Sequence, residues 1–304
     1  MHPVARPAVR PLFGIALGLV VVSTASIAIR YAQAYAPSIV IAAWRLAVAS
    51  LVVVPLLLAR ERSSLQSLSR RDLGLAAASG AFLALHFATW ITSLEYTTVA
   101  SAVVLVSTMP LFVAVLSPIT IREPITRSVV MGLALALAGG IAIALGDSPS
   151  MSVDAARGSP LAGDLLAVAG AIAGAGYLLI GRRLRTHLSL LTYISLSYTT
   201  AAVILVAWML LAGEQPFGYP LEANGLFVFL ALGPQLLGHS SFNWALRYLP
   251  ASVVGVTLLG EPVGSSVLAY FLLDERPSAF KLGAMVLILG GIYIAARPSR
   301  ERLR

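Results

Sequence analysis

Apolar runs of about 17 to 25 residues, bounded by charges or turn residues, follow one another along the whole chain, and such a run is what a helix needs to cross a bilayer. They fall at 12–29, 38–59, 73–93, 97–118, 128–146, 161–180, 189–212, 224–245, 250–272 and 282–296. Too little polar sequence separates them for a soluble domain to gather its own core. The composition agrees, with 58% of 304 residues hydrophobic and 11% charged. Because the runs are continuous and do not alternate, a membrane barrel is excluded. The chain is expected to be an all-α membrane protein with ten transmembrane helices. Arg6 and Arg10 precede the first run and Ala32-Gln33-Ala34 resembles a cleavage site. That run is long for a signal peptide and Arg30 precedes the site, so it reads as a retained span.

The formal charge of +8 raises the question of nucleic acid, and the placement of the charges answers it. With ten spans, sixteen of the 21 Lys and Arg residues fall on the side of the N-terminus, among them Arg60, Arg62, Arg70, Arg71, Arg182, Arg183 and Arg185. The other side receives Arg30, Arg157, Arg276 and Lys281, and Arg45 lies inside a span. This asymmetry is the signature of topology, with both termini in the cytoplasm, and no nucleic-acid partner is expected. Cysteine is absent, which removes disulfides and thiolate metal sites, and no cofactor or metal is expected.

The chain also resembles itself. A shift of 152 residues lays Leu94, Tyr96, Val104, Pro110, Val115, Leu116 and Glu123 on Leu246, Tyr248, Val256, Pro262, Val267, Leu268 and Glu275. Pro-x12-Glu thus occurs twice, and Gly132-x6-Gly139-Gly140 matches Gly283-x6-Gly290-Gly291 after a one-residue slip. Upstream, Pro11-Leu-Phe-Gly14 pairs with Pro160-Leu-Ala-Gly163. Residues 1–147 and 148–304 are therefore expected to be two repeats of five helices each. An odd number of spans makes the second repeat enter the membrane from the opposite face, so the repeats are inverted. Arg122 beside Glu123 falls on the inner side, while its counterpart Asp274 beside Glu275 falls outside.

Ten spans, the five-plus-five duplication, the repeated Pro-x12-Glu and Gly-x6-Gly-Gly patterns, and Arg45 in the second span together resemble the bacterial drug/metabolite transporters built from two EamA-type repeats. The resemblance covers residues 11 to 297. It implies a bundle whose central cavity is formed by helices 1 to 4 and 6 to 9, with helices 5 and 10 at the periphery, and it implies export of amino acids or related metabolites.

Polar groups within apolar spans are the candidates for function, because a charge at the bilayer centre costs at least about 2.5 kcal/mol. Arg45 lies seven residues into its span, about 10 Å deep at 1.5 Å per residue. Its guanidinium can hold a substrate carboxylate in bidentate geometry or bond to free helix ends. His86 and Trp90 are four apart on one helix, and Gln235, His239 and Asn243 are likewise spaced on another, followed by Trp244. These stripes are expected to line a shared cavity, the alternative being interhelical hydrogen bonding, which suits Gln235 and Asn243 better than the histidines. Trp44, Trp90, Tyr177 and Trp244 are candidate walls for an apolar substrate, Trp90 having an interfacial belt as its alternative. Pro110 and Pro262 withhold a backbone donor and leave carbonyls near Val106 and Leu258 free, which marks helix breaks. Glu261, near the midplane, has Met109 as its counterpart. It pairs with Arg45, carries the coupling proton, or contacts the ammonium or hydroxyl of a substrate. Glycines at 14, 18, 170 and 174, and the pairs at 139–140 and 290–291, are expected to serve close helix packing.

The leading expectation is a secondary transporter exporting a small metabolite by alternating access, coupled to protons and embedded in the lipid bilayer. A passive channel or scaffold is the alternative. An intramembrane enzyme finds no support, since HExxH, Gly-x-Ser-x-Gly and a Walker A loop are all absent from the sequence. The absence of cysteine makes the topology directly testable. Ala5→Cys and Arg302→Cys are expected to react with an impermeant maleimide only after cells are opened, and Gln215→Cys in intact cells. Chain ends labelled from opposite faces would contradict the inversion.

Overall fold

The structure is a computed structural model that describes residues 10–97, 99–146, 159–273 and 278–297. Arg6, Arg157, Asp274, Glu275, Arg276, Arg300, Arg302 and Arg304 lie outside the described residues, as does the boundary between the two expected repeats.

Every regular element among the described residues is helical. In chain order they are α1 (Pro11–Val22), α2 (Ala25–Ala32), α3 (Ser38–Arg60), the short α4 (Arg62–Gln66), α5 (Arg70–Tyr96), α6 (Val99–Val106) and α7 (Met109–Thr120). There follow α8 (Arg127–Gly146), α9 (Pro160–Arg185), α10 (Leu190–Leu211) and α11 (Leu221–Leu230). A wide π-helical segment, Ala231–His239, then leads into α12 (Ser240–Ala245), α13 (Ala251–Leu258), α14 (Glu261–Leu273) and α15 (Ala279–Ala296). Joined where they run on, these make nine rods long and apolar enough to cross a bilayer among the described residues, so the chain is a multi-pass membrane protein. The apolar part of α8, Arg127–Ile143, is shorter than the other nine.

Four interruptions break the rods, and each has a local cause. Proline has no N–H to offer the carbonyl four residues back. Ahead of Pro110 and Pro262 the chain therefore tightens, with Thr108 N bonding Leu105 O at 3.1 Å and Gly260 N bonding Thr257 O at 3.0 Å. Pro234 lies inside the π segment, where the widened turn absorbs its missing donor. The break between α1 and α2 has no proline. There Ser23 Oγ donates to Leu19 O and Thr24 Oγ1 to Val21 O, both at 2.7 Å, and such back-bonding hydroxyls bend helices. Neither the α1–α2 break nor the π segment was expected from the sequence, which read both spans as continuous.

The rods pack in a definite pattern: α5 lies along α9, α8 along α15, α3 along α10, and α1 along the π segment and α12. Carboxylates from neighbouring elements serve three helix N-termini, where the exposed amides and the dipole favour negative charge. Glu95 accepts from Ser38 N at 3.0 Å, Glu123 accepts from Ala251 N at 3.0 Å, and Glu61 accepts from Thr192 Oγ1 at 2.9 Å and from Ser189 Oγ.

The crossing of α8 and α15 is made by fewer glycines than expected. A Cβ at Gly132 would lie 2.4 Å from Gly291 O, and one at Gly139 would lie 2.6 Å from Ala284 O. A Cβ at Gly140 would meet nothing within 4 Å, and one at Gly290 would reach only Leu135 at 3.7 Å, so the paired glycines do not both enter the contact. Gly132→Ala is expected to destabilise the protein by about 1–3 kcal/mol through overpacking against backbone, whereas Gly140→Ala keeps or raises the unfolding midpoint, since Ala favours the helix by up to about 1 kcal/mol where space is open. Equal behaviour of the two variants would contradict the crossing.

Candidate functional site

All four interruptions meet at one cavity of about 70 Å³. Val22 and Ala25 flank it from the α1–α2 break, Ser107 and Pro110 from the α6–α7 break, Leu258 and Glu261 from the α13–α14 break, and His239 from the end of the π segment. Arg45, His86, Trp90, Gly174, Tyr177 and Asn243 complete the polar and aromatic wall. Irregular backbone at membrane depth is tolerated where it lines a cavity or is enclosed by protein, so the breaks and the cavity belong together.

Arg45 is fully buried. Its Nε donates to Gln235 Oε1 at 2.9 Å, and its guanidinium carbon sits 4.1 Å from the centroid of the Phe87 ring. Both terminal nitrogens lack a hydrogen-bond partner among the described residues, as does the indole N–H of Trp90. Glu261 faces the same cavity, yet no ion pair within 4.0 Å joins it to Arg45 among the described residues. The direct Arg45–Glu261 pair weighed from the sequence is therefore not formed. The two groups instead face one cavity, donors on Arg45 and Trp90, acceptors on Glu261 and on Asn243 Oδ1, which also lacks a partner.

The histidines have different surroundings. His86 Nδ1 lies 2.8 Å from Gly170 O, and a carbonyl only accepts, so Nδ1 carries a proton and donates it there. The ring stacks on Trp90 with centroids 6.0 Å apart. Close helix approach fixes this arrangement, since a Cβ at Gly174 would lie 2.7 Å from Met109 Sδ and 3.0 Å from His86 Nδ1. His239 packs edge-on to Phe87 at 5.3 Å. Asn243 donates to Tyr177 Oη at 2.5 Å and to Tyr198 Oη at 3.2 Å, so it both braces the bundle and borders the cavity.

Three of the residues expected to line the cavity lie elsewhere. Trp44, next to Arg45 and so turned about 100° around the helix, donates from Nε1 to Pro216 O at 2.8 Å and stacks on Phe227 at 6.2 Å. Trp244 packs over α1, where a Cβ at Gly14 would lie 2.6 Å from its ring, and against Tyr248 at 5.2 Å. Gln235 stands behind Arg45 and does not border the cavity, because the π segment spoils the regular stripe expected through Gln235, His239 and Asn243. Pro262 is buried beside Glu261 and acts through the break alone.

Several contributors escaped the sequence reading. Ser107 borders the cavity at the α6–α7 break, and its place just before Pro110 was the available signal. Tyr193 and Tyr198, both fully buried on α10, bond to Ser79 at 2.8 Å and to Ser240 at 3.1 Å. Arg185 is nearly fully buried and donates to Asn243 O at 3.0 Å, although its place among arginines at a span end suggested a solvated loop. Tyr177→Phe is expected to destabilise the protein by about 1–3 kcal/mol, because it leaves the buried Asn243 amide short of an acceptor. Thermal unfolding in detergent measures this, and an unchanged midpoint would contradict the network.

The chain matches relatives along most of its length. It is 28% identical over 271 residues to an uncharacterized transporter of Archaeoglobus fulgidus, covering 89% of this chain and 92% of that one. It is 25% identical over 264 residues to the uncharacterized transporter YetK of Bacillus subtilis, covering 84% and 78% of the two chains. A solved crystal structure superposes with a TM-score of 0.74 at 19% identity, covering 94% of this chain and 96% of the other, which shows a shared fold. The EamA-like transporter family model matches twice, at residues 10–145 and 161–297, and the chain belongs to that family.

Proposed function

We propose that the chain is a secondary transporter of the bacterial inner membrane that exports a small metabolite, an amino acid or a related amphipathic compound, by alternating access coupled to protons. The observation that carries this reading is the cavity at the four helix breaks, with two partnerless guanidinium nitrogens on one wall and Glu261 on another. A substrate carboxylate would take the Arg45 nitrogens in bidentate geometry. Glu261, on the facing wall, would carry the coupling proton, with contact to the substrate's ammonium or hydroxyl group as its alternative. The rings of Trp90, Phe242 and His239 supply the apolar part of the wall.

Alternating access is supported by size. A cavity of about 70 Å³ is well below the roughly 300–1,000 Å³ of ligand pockets, so loading a metabolite requires the bundle to open. Packing supports the inverted ten-span arrangement with α8 as the fifth span, which puts both termini on one side, and the arginine-rich loops are the reason to read that side as the cytoplasm. Exchanging the first span with the sixth and the third with the eighth turns the α5–α9 contact into that of α1 with the π segment and α12. The same exchange returns α3–α10 and α8–α15 to themselves. Rocking of one repeat against the other is then the natural motion. Export as the direction follows the family resemblance.

The test is transport in reconstituted vesicles under an imposed pH gradient, with a panel of labelled amino acids and metabolites. Glu261→Gln is expected to abolish gradient-driven accumulation while leaving exchange intact. Equal loss of both would assign Glu261 to substrate holding or to structure, and indifference of wild-type transport to collapse of the gradient would remove proton coupling. His86→Ala and His239→Ala are expected to weaken substrate affinity about three- to tenfold, the worth of one hydrogen bond, with protein yield maintained.

A further inference from the structure

Between the cavity and the face that carries Glu123 and Arg182 lies an apolar plug. Leu178 and Phe242 border the cavity, and they cluster with Val113, Leu246, Ala251 and Val254, all four fully buried. Leu178 is one turn from Arg182 on α9, and Phe242 is one turn from Leu246, so the plug is thin there, on the order of 5 Å.

Three bonds close over this plug. Arg182 Nε meets Glu123 Oε1 at 2.6 Å, Arg182 Nη1 donates to Leu246 O at 2.5 Å, and Ala251 N, at the first turn of α13, donates to Glu123 Oε2 at 3.0 Å. Glu123 follows α7 in the first family match, whereas Arg182, Leu246 and Ala251 belong to the second. One carboxylate therefore bridges the two halves where a rocking motion would part them. Both side chains of the ion pair keep about a fifth of their surface exposed, at 20% and 19%, so water can replace the bond when the halves separate.

The arginine–carbonyl bond is not an isolated contact. A shift of 152 residues lays Arg30 on Arg182 and Leu94 on Leu246, and Arg30 Nη1 donates to Leu94 O at 2.9 Å. The same bond thus occurs in both halves, and the acid that matches Glu123 there, Glu275, lies outside the described residues.

We infer that Glu123 and Arg182 form a gate latch that holds the bundle shut over the plug on their own face and opens when the cavity loads or empties through that face. This rests on the alternating-access reading. The absence of native cysteine provides the test, with Ser107→Cys on the cavity wall as the reporter and an impermeant methanethiosulfonate applied to vesicles of either orientation. Arg182→Ala and Glu123→Ala are expected to raise the modification rate from the Arg182 face about three- to fivefold, the shift that a partly exposed ion pair supports, and not from the opposite face. Glu123→Gln, which removes the charge and keeps the side chain's size, is held to the same rise where the alanine variants do not fold, while Arg182→Lys, which keeps the charge pair, is the control that stays within about twofold of the parent. Rates unchanged from both faces, or raised equally from both, overturn the latch. If the parent reporter reacts from each face under some condition yet ignores these variants, the latch fails while alternating access stands. Should it react from one face alone under every condition, alternating access fails with it.

Discussion

A guanidinium enclosed in a membrane bundle without a carboxylate against it is the interaction around which this structure is arranged. Arg45 costs at least about 2.5 kcal/mol at membrane depth on insertion scales, and the protein offsets that with Gln235 at Nε and the Phe87 face below the charge. Neither contact uses its terminal nitrogens, which have no hydrogen-bond partner among the described residues. Gln235 can stand behind the arginine because a π segment carries it, and that segment exists where Pro234 denies the helix a donor. A backbone irregularity in one span thus serves the charge in another.

The same economy runs through the other breaks. A proline at 110 or 262 would weaken an ordinary membrane helix, yet here each frees backbone that faces the cavity. The break between α1 and α2 is tied to the one before Glu261 directly, since Ser23 Oγ donates to Glu261 O at 3.2 Å and Ser265 Oγ donates to Ser23 O at 3.0 Å. The two breaks are therefore joined to each other by side-chain hydrogen bonds. Outside the cavity, Glu61, Glu95 and Glu123 serve helix ends, whereas Arg45 and Glu261 face the enclosed cavity.

Much of this was legible in the sequence. Apolar runs located the nine rods long enough to cross a bilayer among the described residues, and the repeated proline pointed to two of the four breaks. Arg45, His86, His239 and Glu261 stood out because ionisable groups are rare at depth, and all four border the cavity. What was not legible was rotation about helix axes. In helices apolar on nearly every side, pattern does not separate the face toward the core from the face toward lipid, so Trp44 and Trp244 read as well as Trp90 although only Trp90 borders the cavity. The α1–α2 break hides in Ser23 and Thr24, whose hydroxyls bend the backbone without any breaker residue. No spacing in the sequence marks Tyr193 and Tyr198, and only the fold shows their hydroxyls joined to Ser79 and Ser240.

The central claim is that the Arg45 guanidinium opens onto a cavity it shares with Glu261, unpaired until a ligand arrives. The most direct measurement is an experimental structure of the ligand-free protein in lipid nanodiscs, at a resolution that places side chains. The account predicts that no carboxylate lies within 4 Å of the Arg45 terminal nitrogens and that both face the space between the helix breaks. A direct salt bridge between Arg45 and Glu261, closing that space, would contradict it.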